Sequence, residues 1–250
     1  MNDDQLIRYG RQIMLPDFDV AGQNSLAEAH VLIVGVGGLG SPAALYLAAA
    51  GVGRLTLCDH DTVDLSNLQR QIVHATGDIG RNKAHSGKET LAAINPNVTV
   101  HVIDQQISEA LLQHQLKQVT LVLDCTDNVA TRYMINEACW SASVPLVSGA
   151  AIGWEGQISV FDARVKDAPC YRCLYPNTSG ESTLDCATNG VIAPLVGTIG
   201  AVQALEAIKL IANVGQPLSG HVLYFDAKYM EWRKLKLSRR TQCPVCCDAV

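Results

Sequence analysis

A glycine-rich segment directly after a run of apolar residues restricts the fold of this chain more than any other feature. The run is His30–Val34, a continuous apolar stretch suited to a buried parallel strand. Four glycines follow it: Gly35, Gly37, Gly38 and Gly40. A helix is predicted from about Pro42, because proline is tolerated in the first helical turn, where its missing N–H is not needed.

This order of strand, glycine turn and helix favours the binding of a phosphate. Glycines allow a tight turn and a close approach of the backbone, while the helix N-terminus supplies N–H donors and a favourable dipole. Asp59 follows Gly40 by 19 residues and ends the next apolar run, where an acid that binds ribose belongs. Together these residues predict an adenine-nucleotide site on a Rossmann-type sheet.

Strands and helices alternate along the first 150 residues or so. Further strands are predicted at Leu55–Asp59, Val98–Ile103, Leu121–Asp124 and Pro145–Val147. Helices are predicted at Lys83–Ile94, Ser108–Gln118 and Asn128–Ser141. Such alternation indicates βαβ units, and therefore an α/β fold with a mostly parallel sheet flanked by helices.

The pattern changes after Gly149. Gly156–Phe161 alternates like an antiparallel strand, and a helix from about Pro194 to Ala212 has an apolar face. Two more strands are predicted at His221–Asp226 and Trp232–Leu237. We expect a single domain spanning residues 1–250, with a nucleotide-binding part up to about residue 150. The C-terminal part, from about residue 151, is expected to continue the sheet as an antiparallel extension.

The glycine turn with Asp59 fits NAD as well as ATP, so other residues must separate the two nucleotides. Arg70 follows the second strand, Lys83 lies near a helix start, and Asp124–Asn128 lies at the carboxyl end of the fourth strand, where open sheets bind ligands. Arginine and lysine neutralise charge on transferring phosphates, and a free aspartate can hold Mg²⁺. A dehydrogenase needs no such set. ATP is therefore favoured, and an NAD-dependent oxidoreductase is the alternative.

Two Cys-x-x-Cys pairs indicate a structural zinc site. The pairs, Cys170 with Cys173 and Cys243 with Cys246, have the ligand spacing of zinc knuckles. The 69 residues between them exceed the loop of a compact zinc ribbon, so the metal would hold two remote segments together. Four thiolates leave no coordination position for water, which favours a structural role over a catalytic one.

The other five cysteines divide into three kinds. Cys247 could replace Cys246 as a ligand or stay free. Cys186 lies in a polar stretch before the helix at Pro194, where an accessible thiol could act as a nucleophile or be an incidental exposed cysteine. The remaining three occupy apolar contexts typical of inert core residues: Cys58, Cys125 and Cys139.

Charge and hydropathy argue against nucleic-acid and membrane partners. The net charge is −5, and the cluster formed by Lys234, Lys236, Arg239 and Arg240 is interpreted as a solvated face. The acidic N-terminus has no apolar run of the signal-peptide type. The apolar stretch Val191–Ile211 contains Gln203, Glu206 and Lys209, which disfavours a membrane span. We therefore expect a cytoplasmic protein, where nine cysteines point to metal binding or catalysis before disulfides.

Taken together, the motifs resemble those of the MoeB/ThiF family, the bacterial relatives of ubiquitin-activating E1 enzymes. The resemblance runs nearly end to end and is carried by seven segments: Arg8–Gln12, Gly35–Gly40, Asp59–Asp61, Leu65–Gln71, Asp124–Asn128, Cys170–Cys173 and Cys243–Cys246. It implies an adenylyltransferase that activates the C-terminal Gly-Gly of a ubiquitin-like sulfur carrier protein with ATP and releases pyrophosphate. It also implies a homodimer and a separate sulfur donor protein.

The resemblance assigns roles to individual residues. It implies that Asp59 binds the ribose, that Asn67, Arg70 and Lys83 hold the phosphates, and that Asp127 holds Mg²⁺. Asp61 and Asn128 fall in the same nucleotide-binding motifs. Arg11 would reach the ATP site of the partner subunit. Cys186 stands where some members of the family join the carrier covalently. The four paired cysteines would bind structural Zn²⁺.

Two positions depart from the family pattern, and the pathway stays open. Asn82 replaces a proline before Lys83, and Cys247 replaces a glycine. Ser41–Leu47 and Trp232–Leu237 look closer to the thiamine branch, whereas Ser148–Ala151 and Glu155–Gln157 look closer to the molybdopterin branch. The comparison leans to thiamine. A non-catalytic adaptor that presents a protein-binding groove is a further alternative to the enzyme.

Overall fold

An eight-stranded sheet extends across the computed structural model, which describes residues 1–176 and 190–247. The strands are β1 His30–Val34, β2 Arg54–Cys58, β3 Thr99–Ile103, β4 Leu121–Asp124, β5 Leu146–Ile152, β6 Glu155–Phe161, β7 His221–Asp226 and β8 Glu231–Lys236. The helices of the described residues are α1 Asp3–Ile13, α2 Asp19–Glu28, α3 Gly40–Ala50, α4 Lys83–Ile94, α5 Glu109–Leu116, α6 Val129–Ser141, α7 Tyr171–Leu174 and α8 Ala193–Ala212.

The parallel half of the sheet sets the position of the predicted nucleotide site. The strand order is β3-β2-β1-β4-β5-β6-β7-β8, and β1 pairs in parallel with both β2 and β4. All five residues of β1 are buried, as expected for a strand covered by helices on both faces. The chain leaves β1 toward β2 on one side and reaches β4 on the other, so the crevice above β1 is where such sheets bind ligands.

The antiparallel half confirms the predicted C-terminal extension of the sheet. β6 pairs antiparallel with β5 and β7, and β8 forms the exposed edge beside β7. β5 continues to Ile152, well beyond the predicted end at Val147. Its second half contains Gly149, where an added Cβ would lie 2.4 Å from Gln203 of α8. Small residues are required there because a helix packs closely on the strand, and such residues carry little strand signal.

Helix α8 is long and apolar enough, by length and composition alone, to cross a membrane. One face of it is buried against the sheet and includes Leu195, Ile199 and Ala207. An added Cβ on Gly200 would lie 2.2 Å from the Leu39 carbonyl oxygen, so α8 also packs closely on the N-terminal end of α3. We therefore assign α8 as a core helix, in agreement with the sequence-based expectation.

Two helices before β1 have no counterpart among the sequence-based predictions. Helix α1 begins with a capping box, in which Asn2 accepts from the Gln5 backbone N–H and Gln5 accepts from that of Asn2. On its inner face Tyr9 is buried, and its hydroxyl accepts a hydrogen bond of 2.8 Å from the Asn95 side chain. The Asn2-x-x-Gln5 spacing was a readable signal for this helix start.

Candidate functional site

A cavity of about 620 Å³ opens above the carboxyl ends of β1, β2 and β4. The predicted nucleotide residues that line it are Gly35, Gly37, Gly38, Asp59, Asp61, Arg70, Lys83, Asp127 and Asn128. Three other predicted residues, Gly40, Asn67 and Arg11, are not among its lining residues. The fold thus gathers most of the predicted set around one crevice, at the change in strand order.

Two positions of the glycine turn require glycine, one for its backbone conformation and one for its close packing. Gly35 has a φ of +91°, which a residue with a side chain rarely adopts. An added Cβ on Gly40 would lie 1.9 Å from the Gly35 carbonyl oxygen. Gly40 is therefore required for the packing of turn and helix, while Gly37 and Gly38 face the cavity.

Backbone N–H groups fix the carboxylate of Asp59. Its Oδ2 accepts from the Val36 N–H at 2.7 Å and its Oδ1 accepts from the Asp61 N–H at 2.9 Å. Asp59 is buried beside the glycine turn and lines the cavity. The arrangement leaves an oriented acceptor at the end of β2, which is the position expected of a carboxylate that binds a ribose hydroxyl.

Lys83 lies at the start of α4 and pairs with Asp61. The Lys83 ammonium is buried, and its Nζ lies 2.9 Å from Asp61 Oδ2. Burial alone would raise the pKa of Asp61, but the hydrogen bond and charge of Lys83 outweigh it and lower the pKa. Asp61 is therefore a carboxylate at neutral pH and forms an ion pair with Lys83 at the edge of the cavity.

The unusual residue Asn82 has a structural explanation. Its side-chain oxygen caps α4 by accepting from the Ala84 N–H at 2.9 Å, and its Nδ2 donates to the Asp59 carbonyl oxygen at 2.9 Å. A single side chain thus begins the helix of Lys83 and ties it to the end of β2.

Arg70 and Asn67 belong to one tightly folded segment. The Arg70 guanidinium lines the cavity and donates to the Ser66 carbonyl oxygen at 3.0 Å. The Asn67 carbonyl oxygen accepts from the N–H groups of Arg70 and Gln71, both at 3.0 Å. In this conformation Asn67 contributes its backbone to the placement of Arg70, and contact of its side chain with phosphate stays a prediction.

The segment after β4 supplies the acid at the cavity mouth. Asp127 is exposed there, whereas the Asn128 side chain caps α6 by accepting from the Thr131 N–H at 3.0 Å. Asp124, in contrast, is fully buried and accepts from Ser148 Oγ at 2.8 Å and Thr126 Oγ1 at 2.6 Å. Of the two aspartates in this segment, Asp127 is therefore the one that presents its carboxylate to solvent and to a ligand.

Arg132 and Gln71 line the cavity but are absent from the sequence-based set of site residues. Arg132 lies four residues after Asn128 and thus one helical turn into α6, a spacing that could have indicated it. Its guanidinium lies 3.5 Å from Asp124 Oδ2 and donates to the carbonyl oxygens of Gly149, at 2.9 Å, and Thr126. Gln71 directly follows Arg70, and its side chain is buried.

A second cavity, of about 200 Å³, adjoins the first near Asp127, Arg132 and Ala151. It runs beside β5 and β6 and is lined mainly by apolar surface, with Tyr171 and Tyr224 at its sides. The two cavities share the three residues named first, so they lie next to each other along the same edge of the sheet.

The four paired cysteines come together as predicted. The sulfur atoms of Cys170 and Cys243 lie 3.5 Å apart, those of Cys173 and Cys246 lie 3.3 Å apart, and all four lie within 4.8 Å of one another. Sulfurs on a tetrahedral zinc, at about 2.3 Å from the metal, would be about 3.8 Å apart. The cluster therefore fits a zinc ion after small movements.

Among the described residues, the three cysteines predicted to be inert are in the core, and Cys247, which the sequence left open as a ligand, lies outside the cluster of four. Cys58, Cys125 and Cys139 are buried, and burial raises the pKa of the Cys58 thiol to about 12. The Cys247 thiol donates to the Arg240 carbonyl oxygen at 2.7 Å, outside the group of four. Cys186 lies outside the described residues, and its role as a nucleophile stays a prediction.

The chain is similar over nearly its whole length to a known protein family and to two adenylyltransferases. A model of the "ThiF family" matches residues 9–245. A molybdopterin-synthase adenylyltransferase of Salmonella typhimurium is 48% identical over 246 residues, which cover 98% of each chain. The sulfur carrier protein ThiS adenylyltransferase of Escherichia coli is 46% identical over 246 residues, covering 98% of this chain and 97% of its own.

Among solved structures, MccB of E. coli has a similar fold. It matches with a TM-score of 0.84 over 100% of this chain and 74% of its own, at 22% sequence identity. At that identity the likeness supports the α/β fold and nothing further.

Proposed function

The chain belongs to the ThiF family, and on that premise we propose that it is an adenylyltransferase that activates the C-terminal glycine of a ubiquitin-like sulfur carrier protein. The observation that carries the proposal is the set of charges in the larger cavity. Asp59 is an oriented acceptor for a ribose, Arg70 and Lys83 are cations, and Asp127 is a free carboxylate at the mouth. ATP with Mg²⁺ is the substrate that matches all of these groups.

Adenylation depends on placing the carboxylate in line with the leaving group and on neutralising the charge of the phosphates. It depends less on proton transfer. One oxygen of the carrier's terminal carboxylate attacks the α-phosphorus, an acyl-adenylate bond forms, and pyrophosphate leaves with the electron pair of the broken P–O bond. Arg70 and Lys83 would stabilise the charge that develops on the phosphates. Asp127 would hold the Mg²⁺ of the substrate. The second cavity would guide the carrier's flexible end to the α-phosphorus, in line with the leaving group.

Two carriers are candidates, because the two relatives named above act in different branches by their names and have similar identities, 48% and 46%. ATP–pyrophosphate exchange is to be measured with a molybdopterin-type and a ThiS-type carrier, each ending in Gly-Gly. We expect exchange that depends on one of the two. Absence of exchange with both would contradict the proposed function.

A titration separates this function from the alternative of an NAD-dependent oxidoreductase. Arg70, Lys83 and Asp127 predict binding of MgATP, while the glycine turn and Asp59 alone would also accept NAD. We expect MgATP to bind and NAD to compete weakly. Tight binding of NAD together with no binding of ATP would favour the oxidoreductase.

We further propose that the enzyme is a homodimer in which Arg11 completes the ATP site of its partner. Arg11 is exposed on α1 and does not line the cavity of its own subunit. Its neighbours one helical turn away, Ile7 and Met14, are 80% and 73% exposed. Exposed apolar side chains around an arginine suit a face that a second copy covers.

Subunit mixing tests this arrangement. Arg11→Ala and Asp127→Ala are each expected to lose almost all exchange activity, because each site would lack one important group. Mixed in equal amounts, they should regain about a quarter of the wild-type exchange rate, since half of the dimers are mixed and each has one complete site. Activity of Arg11→Ala alone, or no recovery on mixing, would contradict a role in trans.

We propose that the cysteine cluster binds one Zn²⁺ and holds the segment around Cys170 to the C-terminal segment. Cys173→Ser is expected to lower the zinc content measured by atomic emission from about one ion per chain to near zero. Cys139→Ser, a change at a cysteine outside the cluster, is the control and should retain zinc. Full zinc content in Cys173→Ser would exclude the four-cysteine site.

We propose that the enzyme is a single-domain protein of the cytoplasm that works with a separate sulfur donor. A cytoplasmic location suits a cluster of reduced thiols, since zinc-binding cysteines must stay reduced. We propose a single domain, because β6 and β7 of the C-terminal part pair in the same sheet as the nucleotide-binding strands. A separate protein would supply sulfur to the activated carrier.

A further inference from the structure

Gln71 places a buried side-chain amide in the wall of the larger cavity. Its side chain is 4% exposed, and its Oε1 is enclosed without a partner among residues 1–176 and 190–247. A phosphate oxygen accepts hydrogen bonds and cannot pair with Oε1. Leaving that oxygen unpaired is costly, and the fold accepts this cost in a conformation that directs the other end of the amide, the Nε2 donor, toward Gly37 in the cavity wall.

The backbone on both sides of Gln71 is fixed. Its N–H donates to the Asn67 carbonyl oxygen at 3.0 Å, and its own carbonyl oxygen accepts from the His74 N–H at 3.1 Å. The His74 ring in turn lies 3.0 Å, through Nε2, from the Val36 carbonyl oxygen in the glycine turn. The backbone of Gln71 is therefore fixed relative to that turn, and burial restricts the conformations open to its side chain.

The amide faces Gly37. Its Nε2 lies 3.4 Å from the point that a Cβ on Gly37 would occupy. Gly37 directly follows Val36, whose N–H donates to the carboxylate of Asp59, the acceptor proposed for the ribose. In a nucleotide the phosphate joined to the ribose is the α-phosphate, so a phosphate that approaches Gly37 beside Asp59 is the α-phosphate.

We infer that the side-chain amide of Gln71 donates a hydrogen bond to a nonbridging oxygen of the α-phosphate of ATP. The inference rests on the proposed function and adds a residue at the reacting phosphorus. When the carrier's carboxylate attacks, the bond to the new oxygen forms and the bond to pyrophosphate breaks, while negative charge is shared by the nonbridging oxygens. A preorganised neutral donor stabilises that charge most in the transition state.

If Gln71 has this role, its substitution should lower the reaction rate without lowering the stability of the fold. Gln71→Met removes the donor and keeps a side chain of similar length. Because the amide oxygen has no partner among the described residues, replacement of the amide by an apolar group should leave the melting temperature unchanged or raise it. The same change should lower kcat for pyrophosphate exchange by about 10²-fold, as loss of one such donor does, with little change in the KM for ATP.

The two phosphorothioate diastereomers of ATPαS identify the contact. Each carries sulfur in place of one nonbridging α-oxygen, so a donor to one oxygen makes the wild type prefer one diastereomer. Gln71→Met should lower that preference by about fivefold to tenfold. Gln71→Glu, which places a carboxylate by the phosphate, should be slower than Gln71→Met. The control is Gln113→Met, at an exposed glutamine on α5, which should behave as the wild type.

Results for the wild type and for Gln71→Met test the proposed function and the role of Gln71 separately. A wild type without carrier-dependent exchange would overturn the proposed function itself. An active wild type, together with a Gln71→Met variant of equal kcat and unchanged diastereomer preference, would overturn the role of Gln71 alone. A Gln71→Met variant that is slow and also melts at a markedly lower temperature would assign Gln71 a structural role instead.

Discussion

Asp127→Ala is expected to lower kcat for carrier-dependent pyrophosphate exchange by at least about 10²-fold, because the Mg²⁺ of a phosphoryl substrate contributes several kcal/mol of charge stabilisation. Asp127 is the exposed acid at the cavity mouth, and its neighbour Asp124 is fully buried and already accepts hydrogen bonds. Asp124 therefore has no free oxygen positioned to replace it.

The magnesium dependence of the rate identifies the role of Asp127. The variant should need a higher Mg²⁺ concentration for half-maximal exchange, and its melting temperature should be close to that of the wild type. Glu109→Ala, at an exposed carboxylate on α5, serves as the control. Wild-type exchange by Asp127→Ala would exclude the residue as the holder of the substrate metal.

Arg132→Met is expected to lower the free energy of unfolding by about 3–5 kcal/mol, the usual cost of breaking a buried ion pair on one side. Arg132 and Asp124 are both buried, with 3.5 Å between Nη1 and Oδ2. The substitution leaves the Asp124 carboxylate without its cation. It also removes the donors to the carbonyl oxygens of Gly149 and Thr126, which fix β5 and the segment before Asp127.

A double-mutant cycle isolates the ion pair from the other contacts of Arg132. Asp124→Asn keeps an oxygen for the Thr126 hydroxyl and supplies an N–H that can donate to Ser148 Oγ, so it preserves the local hydrogen bonds. Urea unfolding of Arg132→Met with Asp124→Asn should show a loss smaller than the sum of the single losses by about 1–3 kcal/mol. Additive losses would show that the two charges are not coupled.

The regular parts of this fold could be predicted from residue patterns because they bury apolar side chains with a clear period. β1 and α4 have the predicted bounds, since a continuous apolar run and a capped helix are local signals. Helices α1 and α2 were missed. The buried residues of α2 include Gly22 and Gln23, which carry no apolar period.

The candidate site was partly predictable for a related reason. Asp59, Arg70, Lys83 and Asp127 follow strands or begin helices, where side chains meet at one edge of a parallel sheet. Arg132 and Gln71 lie inside local structure, and their sequence positions do not show which way they face. Only the structure reveals them, through the packing of α6 on β4, which brings Arg132 to the Gly149 carbonyl oxygen of β5, and through the contact of Gln71 with the glycine turn.

The mass of the carrier after reaction tests the central claim most directly. The chain is to be incubated with MgATP, pyrophosphatase and a carrier that ends in Gly-Gly, and the carrier is then analysed by mass spectrometry. We predict that the carrier gains one adenylyl group at its C-terminal glycine and that a carrier lacking this glycine gains none. An unmodified carrier, with ATP bound but not consumed, would contradict the assignment of this cavity to carrier adenylation.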